Sequence, residues 1–119
     1  MASQPAVDRR EAIARLNDRA RLGFDPTARF VITHNCLATF CEPDTARAVV
    51  VQAELLAAFR RCSFAPDCPE RDFAEVMFSE RRVWLKIDYY DGAMEFGSED
   101  PADASVTTRV VTILLPEDY

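Results

Sequence analysis

The sequence predicts an α+β protein, with two helices packed on an antiparallel sheet of four to five strands in the order α-β-α-β-β-β-β. Two observations predict this class. Apolar residues recur at helical spacing in two stretches of the first half, whereas apolar and polar residues alternate in the second half. The length of 119 residues suits one modest core, and we therefore assign residues 1–119 to a single domain.

The first half is predicted to contain two helices and one strand. Asp8 is a suitable N-cap for a helix over roughly residues 9–21, and Gly23 would end it. Residues 28–35 are few and rich in β-branched side chains, which favours a strand. A second helix is predicted over about residues 44–61. Its apolar stripe would comprise Val49, Val50, Ala53, Leu56 and Phe59, with Leu55 beside them.

The second half is predicted to contain only strands. Residues 73–79 form one, and residues 81–90 show the clearest alternation in the chain. Asp91-Gly92 is a strong signal for a two-residue hairpin turn, after which residues 93–97 would return as a strand. Residues 107–115 form the last strand. Alternation places Val83, Leu85, Ile87 and Tyr89 on the core face and Trp84, Lys86, Asp88 and Tyr90 on the other face.

This hairpin would bring two carboxylates face to face. Its register pairs Asp88 with Glu95 on the outer face, and Ile87 with Phe96 on the core face. Like charges in such a position are destabilising, whereas an opposite pair contributes ~0.2–1 kcal/mol. Two interpretations remain open at this point. The face is either a solvated surface whose repulsion Lys86 softens, or a surface that receives cations from a partner.

Charge is distributed unevenly along the chain. Residues 1–64 contain nine Arg against seven acidic residues, a net charge of +2, whereas residues 65–119 contain five cations against thirteen carboxylates, a net charge of −8. An acidic half repels nucleic acid and acidic membranes and attracts a basic protein surface. There is no apolar segment of membrane-spanning length and no export signal, so we expect a cytoplasmic protein with reduced cysteines.

These patterns favour a binding protein without a cofactor, a metal or catalytic residues. Acidic residues of the segment would pair with Arg or Lys of a partner, and two amphipathic aromatics would act as anchors. The predicted partner-binding residues are Trp84, Asp88, Tyr90, Asp91, Glu95, Glu99, Asp100 and Asp103. The expected partner is a protein or nucleoprotein complex with a basic surface.

Three alternatives compete with this hypothesis. His34 and Cys36 lie two residues apart at the end of the predicted strand 28–35 and could form a nucleophile pair. The carboxylates suit a divalent cation, and the four cysteines with His34 suggest zinc, although their C-x4-C and C-x5-C spacings are unusual for it. A homodimer that buries Trp84 is the third alternative. The cysteines are Cys36, Cys41, Cys62 and Cys68.

Several segments resemble a small bacterial family of unknown function. At the C-terminal end these are K-I-D-Y-Y-D (86–91), G-S-E-D-P-A-D (97–103) and T-x-R-V-V-T-I-L-L-P-E-D-Y (107–119); near the N-terminus, I-A-R-L-N-D-R-A-R (13–21) resembles the family's opening helix. A turn motif, P-Y-G-E-H-D-F-G in that family, corresponds here to D-C-P-E-R-D-F-A, with Arg71 in place of His and Ala74 in place of Gly.

The resemblance implies a proteobacterial protein of plasmids and other mobile elements, and it brings no established activity. If the family's His has a chemical role, Arg71 removes it here, which favours a non-enzymatic protein. Together with the acidic second half, this setting suggests that the partner is a host protein or nucleoprotein complex and that the protein is an anti-CRISPR or anti-restriction inhibitor. Such a protein would act as a DNA mimic that occupies a basic nucleic-acid-binding surface.

Overall fold

The computed structural model describes residues 6–119. The helices are α1 (Ala6–Arg21), α2 (His34–Phe40) and α3 (Ala46–Arg60). The strands are β1 (Arg29–Ile32), β2 (Phe73–Phe78), β3 (Arg81–Tyr90) and β4 (Thr108–Leu114). Two short 3-10 helices follow the acidic stretch and β4, at Ala104–Val106 and Pro116–Asp118. Within the described residues, no helix is long and apolar enough to cross a membrane.

The four strands form one sheet in the order β1-β4-β3-β2. Strand β3 pairs antiparallel with both β2 and β4, whereas β1 pairs parallel with β4. The α+β class is therefore confirmed, but the sheet is mixed rather than wholly antiparallel. A parallel neighbour requires a crossover connection, and the segment from β1 to β4 provides it because it runs through α2, α3 and the β2–β3 hairpin.

The core lies between the helices and one face of the sheet. The predicted alternation of β3 is confirmed, since Val83, Leu85 and Ile87 are buried and cluster with residues of α3 such as Leu55 and Phe59. The other face, which carries Trp84, Lys86, Asp88 and Tyr90, is only partly buried. A sheet packed on one side only explains why this sequence alternates so clearly.

The predicted apolar stripe of α3 was wrong for Val49, Val50 and Ala53, which are exposed. The buried residues of α3 are Ala48, Val51, Leu55 and Phe59, whereas Val49 and Val50 are 68 % and 44 % exposed. Three consecutive valines at 49–51 fit several helical stripes equally well. Counting back from Phe59 in steps of four residues gives Leu55 and Val51, which are the residues that are buried. Packing against the sheet therefore determines which valine faces the core.

Two helix boundaries have clear local causes. At the end of α1, Gly23 has φ of +87°, and the amides of Gly23 and Phe24 donate to the carbonyls of Ala20 and Arg19, the Schellman arrangement. The predicted strand 28–35 is shorter, because Thr33 caps α2 by accepting a hydrogen bond from the amide of Cys36.

Candidate partner-binding site

The predicted Asp91-Gly92 hairpin does not form. After Tyr90 the chain makes a wider turn, closed by hydrogen bonds from Asp91 N to the Phe96 carbonyl (2.8 Å) and from Ser98 N to the Tyr89 carbonyl (3.0 Å), with one bridge between Tyr90 and Gly97. Strand β4 pairs with β3 as far as Tyr90 and so fills that edge up to the turn, whereas β2 pairs with β3 only over residues 81–86. Residues 93–97 make a single bridge to β3 and otherwise remain a loop.

The predicted opposition of Asp88 and Glu95 was consequently wrong. Asp88 lies opposite Val110 of β4, and its carboxylate accepts a hydrogen bond from Lys86 Nζ at 2.8 Å. The bond to Asp88 raises the pKa of Lys86, which burial alone would lower. Asp88 is thus paired within the molecule and is less available to a partner than the sequence suggested.

The remaining predicted carboxylates lie in residues 91–103, which we call the acidic loop. Three of them shape the loop itself. Asp91 accepts from the amide of Glu95 (3.0 Å), Asp100 accepts from the amide of Ala102 (3.2 Å), and Asp103 caps the following 3-10 helix through Ser105 (2.9 Å). Hydrogen bonds from Ser105 lower the pKa of Asp103. Short Asp side chains commonly stabilise turns in this way.

The other two carboxylates, Glu95 and Glu99, are exposed to solvent. Within the described residues neither side chain forms an ion pair or accepts a hydrogen bond from a side chain or an amide. The acidic loop contains five carboxylates and no cation of its own. Its Asp carboxylates therefore fix the backbone, while its two Glu carboxylates face water and are free to meet a cation.

Side chains of the folded body hold the acidic loop in place. Arg9 of α1 pairs with Asp100 at 2.6 Å, and the buried Arg109 of β4 donates from Nη2 to the carbonyl of Pro101 at 2.5 Å. Arg109 Nε donates to Asn17 of α1 (2.7 Å), and the guanidinium lies 5.1 Å from the Tyr89 ring centroid. Burial lowers the pKa of Arg109, but a guanidinium remains protonated in proteins.

This buried network was missed by the sequence analysis. Asn17, which is fully buried, donates to both the Tyr89 hydroxyl (2.8 Å) and the Glu70 carbonyl (2.9 Å). Next to it, Arg71 makes two hydrogen bonds to Asp18 (3.1 and 2.7 Å). The segments that carry the family resemblance, around residues 17, 70 and 109, thus meet beneath the acidic loop. A single sequence does not indicate that contact.

The two predicted aromatic anchors do not share one patch with the loop. Tyr90 adjoins it, whereas Trp84 is six residues away along β3, or about 20 Å at the rise of a strand. Trp84 contacts Phe73 and Tyr119 edge to face at 5.1 and 5.9 Å, and its indole Nε1 donates to Glu75 at 2.7 Å. The indole ring and its N–H group are therefore already in contact with other residues of the protein.

Two exposed apolar side chains beside the acidic loop were not predicted. Phe96 was expected in the core opposite Ile87, but it is 71 % exposed. Val106, in the 3-10 helix that follows the loop, is 46 % exposed. They line a cleft of about 330 Å³ with Asp91, Gly97, Glu99 and Asp100. Alternation placed Phe96 on the core face because residues 93–97 were predicted to form a strand. These residues form a loop, so the alternation rule does not apply to Phe96.

The structure gives little support to the proposed nucleophile pair. His34 is the exposed first residue of α2 rather than part of a strand, while Cys36 is fully buried on the same helix. Burial raises the pKa of the Cys36 thiol to about 11, and Asp118 adds to that shift. A thiol with such a pKa is protonated near neutral pH, so Cys36 is a poor nucleophile.

Among residues 6–119, the structure contains no set of ligands for a divalent cation or for zinc. No three His, Cys, Asp or Glu side chains in that part of the chain come together in a way that could hold a metal ion. All four cysteines are free thiols, and Cys41 and Cys62 pack against the core. Their packing accounts for these two cysteines without a ligand role.

The structure thus combines a mixed four-stranded sheet, helices on one face of that sheet, and an acidic loop that Arg9 and Arg109 hold in place.

Residues 46–118, from the start of α3 to the second 3-10 helix, match the family described as "Protein of unknown function (DUF3768)", and the chain belongs to it. No curated protein and no solved structure has significant similarity to the chain. The segment 13–21, which also resembled a family of this kind, lies outside the matched residues.

Proposed function

We propose that this protein is a non-enzymatic binding protein that docks on a basic surface of another protein through its acidic loop. The observation that carries the proposal is the contrast within residues 91–103. Asp91, Asp100 and Asp103 hold the backbone, and Arg9 and Arg109 anchor it to the body. Glu95 and Glu99 are left exposed on this preorganised support. Preorganisation lowers the entropic cost of binding.

The charge distribution supports a protein partner. The net charge of −8 in residues 65–119 repels the phosphates of nucleic acid and the headgroups of acidic membranes. The same charge attracts Arg- and Lys-rich surfaces and accelerates encounter with them. The surfaces with the densest cations are commonly those that bind nucleic acid, and an acidic loop would compete for them.

The more specific part of the proposal concerns the biological setting. The C-terminal motifs resemble those of proteobacterial proteins from plasmids and mobile elements. In that setting a host defence complex is a suitable partner, and the protein would act as an anti-CRISPR or anti-restriction inhibitor. It would mimic DNA by placing carboxylates where phosphates would otherwise bind.

The test compares two charge reversals of equal size. Glu95→Lys with Glu99→Lys changes the acidic loop, and Glu42→Lys with Glu80→Lys makes the same charge change elsewhere. Glu80 lies in the β2–β3 turn, at the end of β3 remote from the loop, and both control residues are exposed. Tagged protein would be used for pull-down from host lysate at low and high salt, and the captured partner then assayed for nucleic-acid binding.

We expect the wild type and the control variant to capture a nucleic-acid-binding protein at low salt and to lower its affinity for nucleic acid. The loop variant should lose this capture, and high salt should weaken it. Equal capture by the two variants, or capture that does not respond to salt, would rule out the acidic loop as the docking surface.

A further inference from the structure

The cleft beside the acidic loop has apolar walls. Phe96 and Val106, which are 71 % and 46 % exposed, line it together with Gly97 and the carboxylates. Neither residue belongs to the core cluster or to the hydrophobic residues that pack on it. Apolar surface left in water is unfavourable by about 25 cal/mol per Å². A partner group that covers these two side chains would recover that free energy.

The size of the cleft limits its occupant. At about 330 Å³ it is near the lower limit of ligand pockets, which span roughly 300–1,000 Å³. This volume suits one long side chain better than a cofactor or a folded segment. Gly97 lines the cleft without a side chain that would take up part of this volume.

The charges around the cleft select a cation. Asp91, Glu99 and Asp100 all line it, and among residues 6–119 only Asp100 is paired, with Arg9 at 2.6 Å. Asp91 uses Oδ1 for the amide of Glu95, and Oδ2 has no protein donor in that part of the chain. A cation that enters between the apolar walls would therefore meet two carboxylates that are not otherwise neutralised.

Arginine fits these features better than lysine. Its methylenes can lie on Val106, and its planar guanidinium can stack on the ring of Phe96 while donating to Asp91 and Glu99. Lysine offers a point charge that is more strongly hydrated and stacks less well. Arg9 already shows a guanidinium bound by a carboxylate of this rim.

We infer that the cleft between Phe96 and Val106 is a receptor site for a single arginine side chain of the partner protein. The inference deepens the proposed function and rests on it, because it states which residue type of the basic surface the acidic loop recognises. The loop would then discriminate among cationic partners instead of attracting all of them equally.

The experiment is a titration of ¹⁵N-labelled full-length protein, followed by NMR. The probes are a capped glycine–arginine–glycine tripeptide and its lysine counterpart. We expect 1:1 binding with the largest shifts at the amides of Phe96, Gly97, Glu99 and Val106, and at least about twofold tighter binding of the arginine peptide. High salt should weaken both interactions.

Two variants and two controls test the walls and the rim separately. Phe96→Ala should weaken arginine binding by about two- to fivefold and remove the preference over lysine. Asp91→Asn with Glu99→Gln should weaken it about tenfold, and the amide oxygen introduced at position 91 would still accept the turn hydrogen bond. Phe24→Ala and Glu42→Gln, at exposed positions elsewhere, should change nothing.

Equal affinity for both peptides, shifts spread over all exposed carboxylates, or no effect of Phe96→Ala would overturn the arginine site. Concentration-dependent self-association that Phe96→Ala abolishes would assign the cleft to a second copy of this chain and would also overturn the arginine site.

The proposed function is tested by a separate outcome. If the lysate partner is captured normally but the peptide titration fails, only the arginine site is wrong; if the titration succeeds and capture fails, only the proposed basic partner surface is wrong.

Discussion

At the scale of single residues, Asn17 joins the segments that hold the candidate site. Its side chain is fully buried and bonds Arg109, Tyr89 and the Glu70 carbonyl at 2.7 to 2.9 Å. Arg109 is 1 % exposed, and within the described residues no carboxylate pairs with it. Its buried charge therefore depends on neutral acceptors, of which the Asn17 amide oxygen is one.

We expect Asn17→Ala to lower the free energy of unfolding by about 2–4 kcal/mol, because it leaves a buried guanidinium nitrogen and the Tyr89 hydroxyl without their partner. Urea unfolding followed by circular dichroism measures this. Gln52→Ala, on the exposed side of α3, is the control and should change it by less than about 0.5 kcal/mol. Equal stability of the two variants would show that the network is not needed.

Asp18 and Arg71 form an ion pair that gives Arg71 a structural role. Burial would raise the pKa of Asp18, but hydrogen bonds from Arg71 and Arg21 outweigh it, and the net shift is downward. Arg71 has φ of +54°. The structure thus explains Arg71 as a partner of Asp18.

At the scale of elements, the C-terminal 3-10 helix ties β4 to the start of α2. Asp118 accepts hydrogen bonds from Thr33 Oγ1 (2.7 Å), Asn35 Nδ2 (2.8 Å) and the amide of Leu115 (3.0 Å). Burial opposes ionisation of Asp118, but these three bonds dominate and lower its pKa below 3.8. One carboxylate thereby joins two segments about eighty residues apart in the chain.

A lowered pKa in the folded state means that ionised Asp118 stabilises the protein above the unfolded-state value of 3.8. The contribution is lost as pH falls through the folded-state pKa. We expect Asp118→Asn to cost about 1 kcal/mol at pH 7, a modest value because the site is partly exposed, and less at pH 3, which lies below the unfolded-state value of 3.8.

Urea unfolding of Asp118→Asn and wild type at pH 7 and pH 3 tests this. Glu117→Gln is the neighbouring control, since Glu117 is exposed and lies 3.7 Å from Arg81. A difference between Asp118→Asn and wild type that is the same at both pH values would contradict the role of the charge.

At the scale of the whole molecule, net charge governs association of the protein with itself. The net charge is −6 at pH 7, and the isoelectric point is near 4.7. Mutual repulsion weakens as pH approaches that value. We expect light scattering to rise and solubility to reach a minimum near pH 4.7 at low salt.

The two double charge reversals separate net charge from local surface. Each raises the net charge from −6 to −2, since every Glu→Lys exchange adds two charges. Both should therefore move the solubility minimum upward by the same amount, although only Glu95→Lys with Glu99→Lys should lose the partner. An upward shift confined to that loop variant would instead indicate self-association through the acidic loop, which favours the homodimer alternative.

Much of the architecture follows from local patterns. The end of α1, the two strands β2 and β3, and the inward face of β3 were predicted because a glycine stop and alternation act over a few residues. The predicted N-cap of α1 was wrong, since α1 already includes Ala6 and Asp8 lies in its first turn. The hairpin between β2 and β3 turns at Ser79-Glu80, where both residues have positive φ (47° and 66°) without a Gly. Turn composition pointed instead to Asp91-Gly92.

The candidate site was predicted only in outline. The acidic composition of residues 91–103 is visible in the chain, and so is the unequal charge of its two halves. Which carboxylates shape the loop and which face solvent depends on contacts with Arg9, Arg109 and Ser105. The exposure of Phe96 likewise depends on β4, because β4 takes the edge of β3 that residues 93–97 would have needed. Local sequence determines the secondary structure elements and the charges that they carry. The pairing of β4, a distant segment, with one edge of β3 determines where those charges lie in the folded protein.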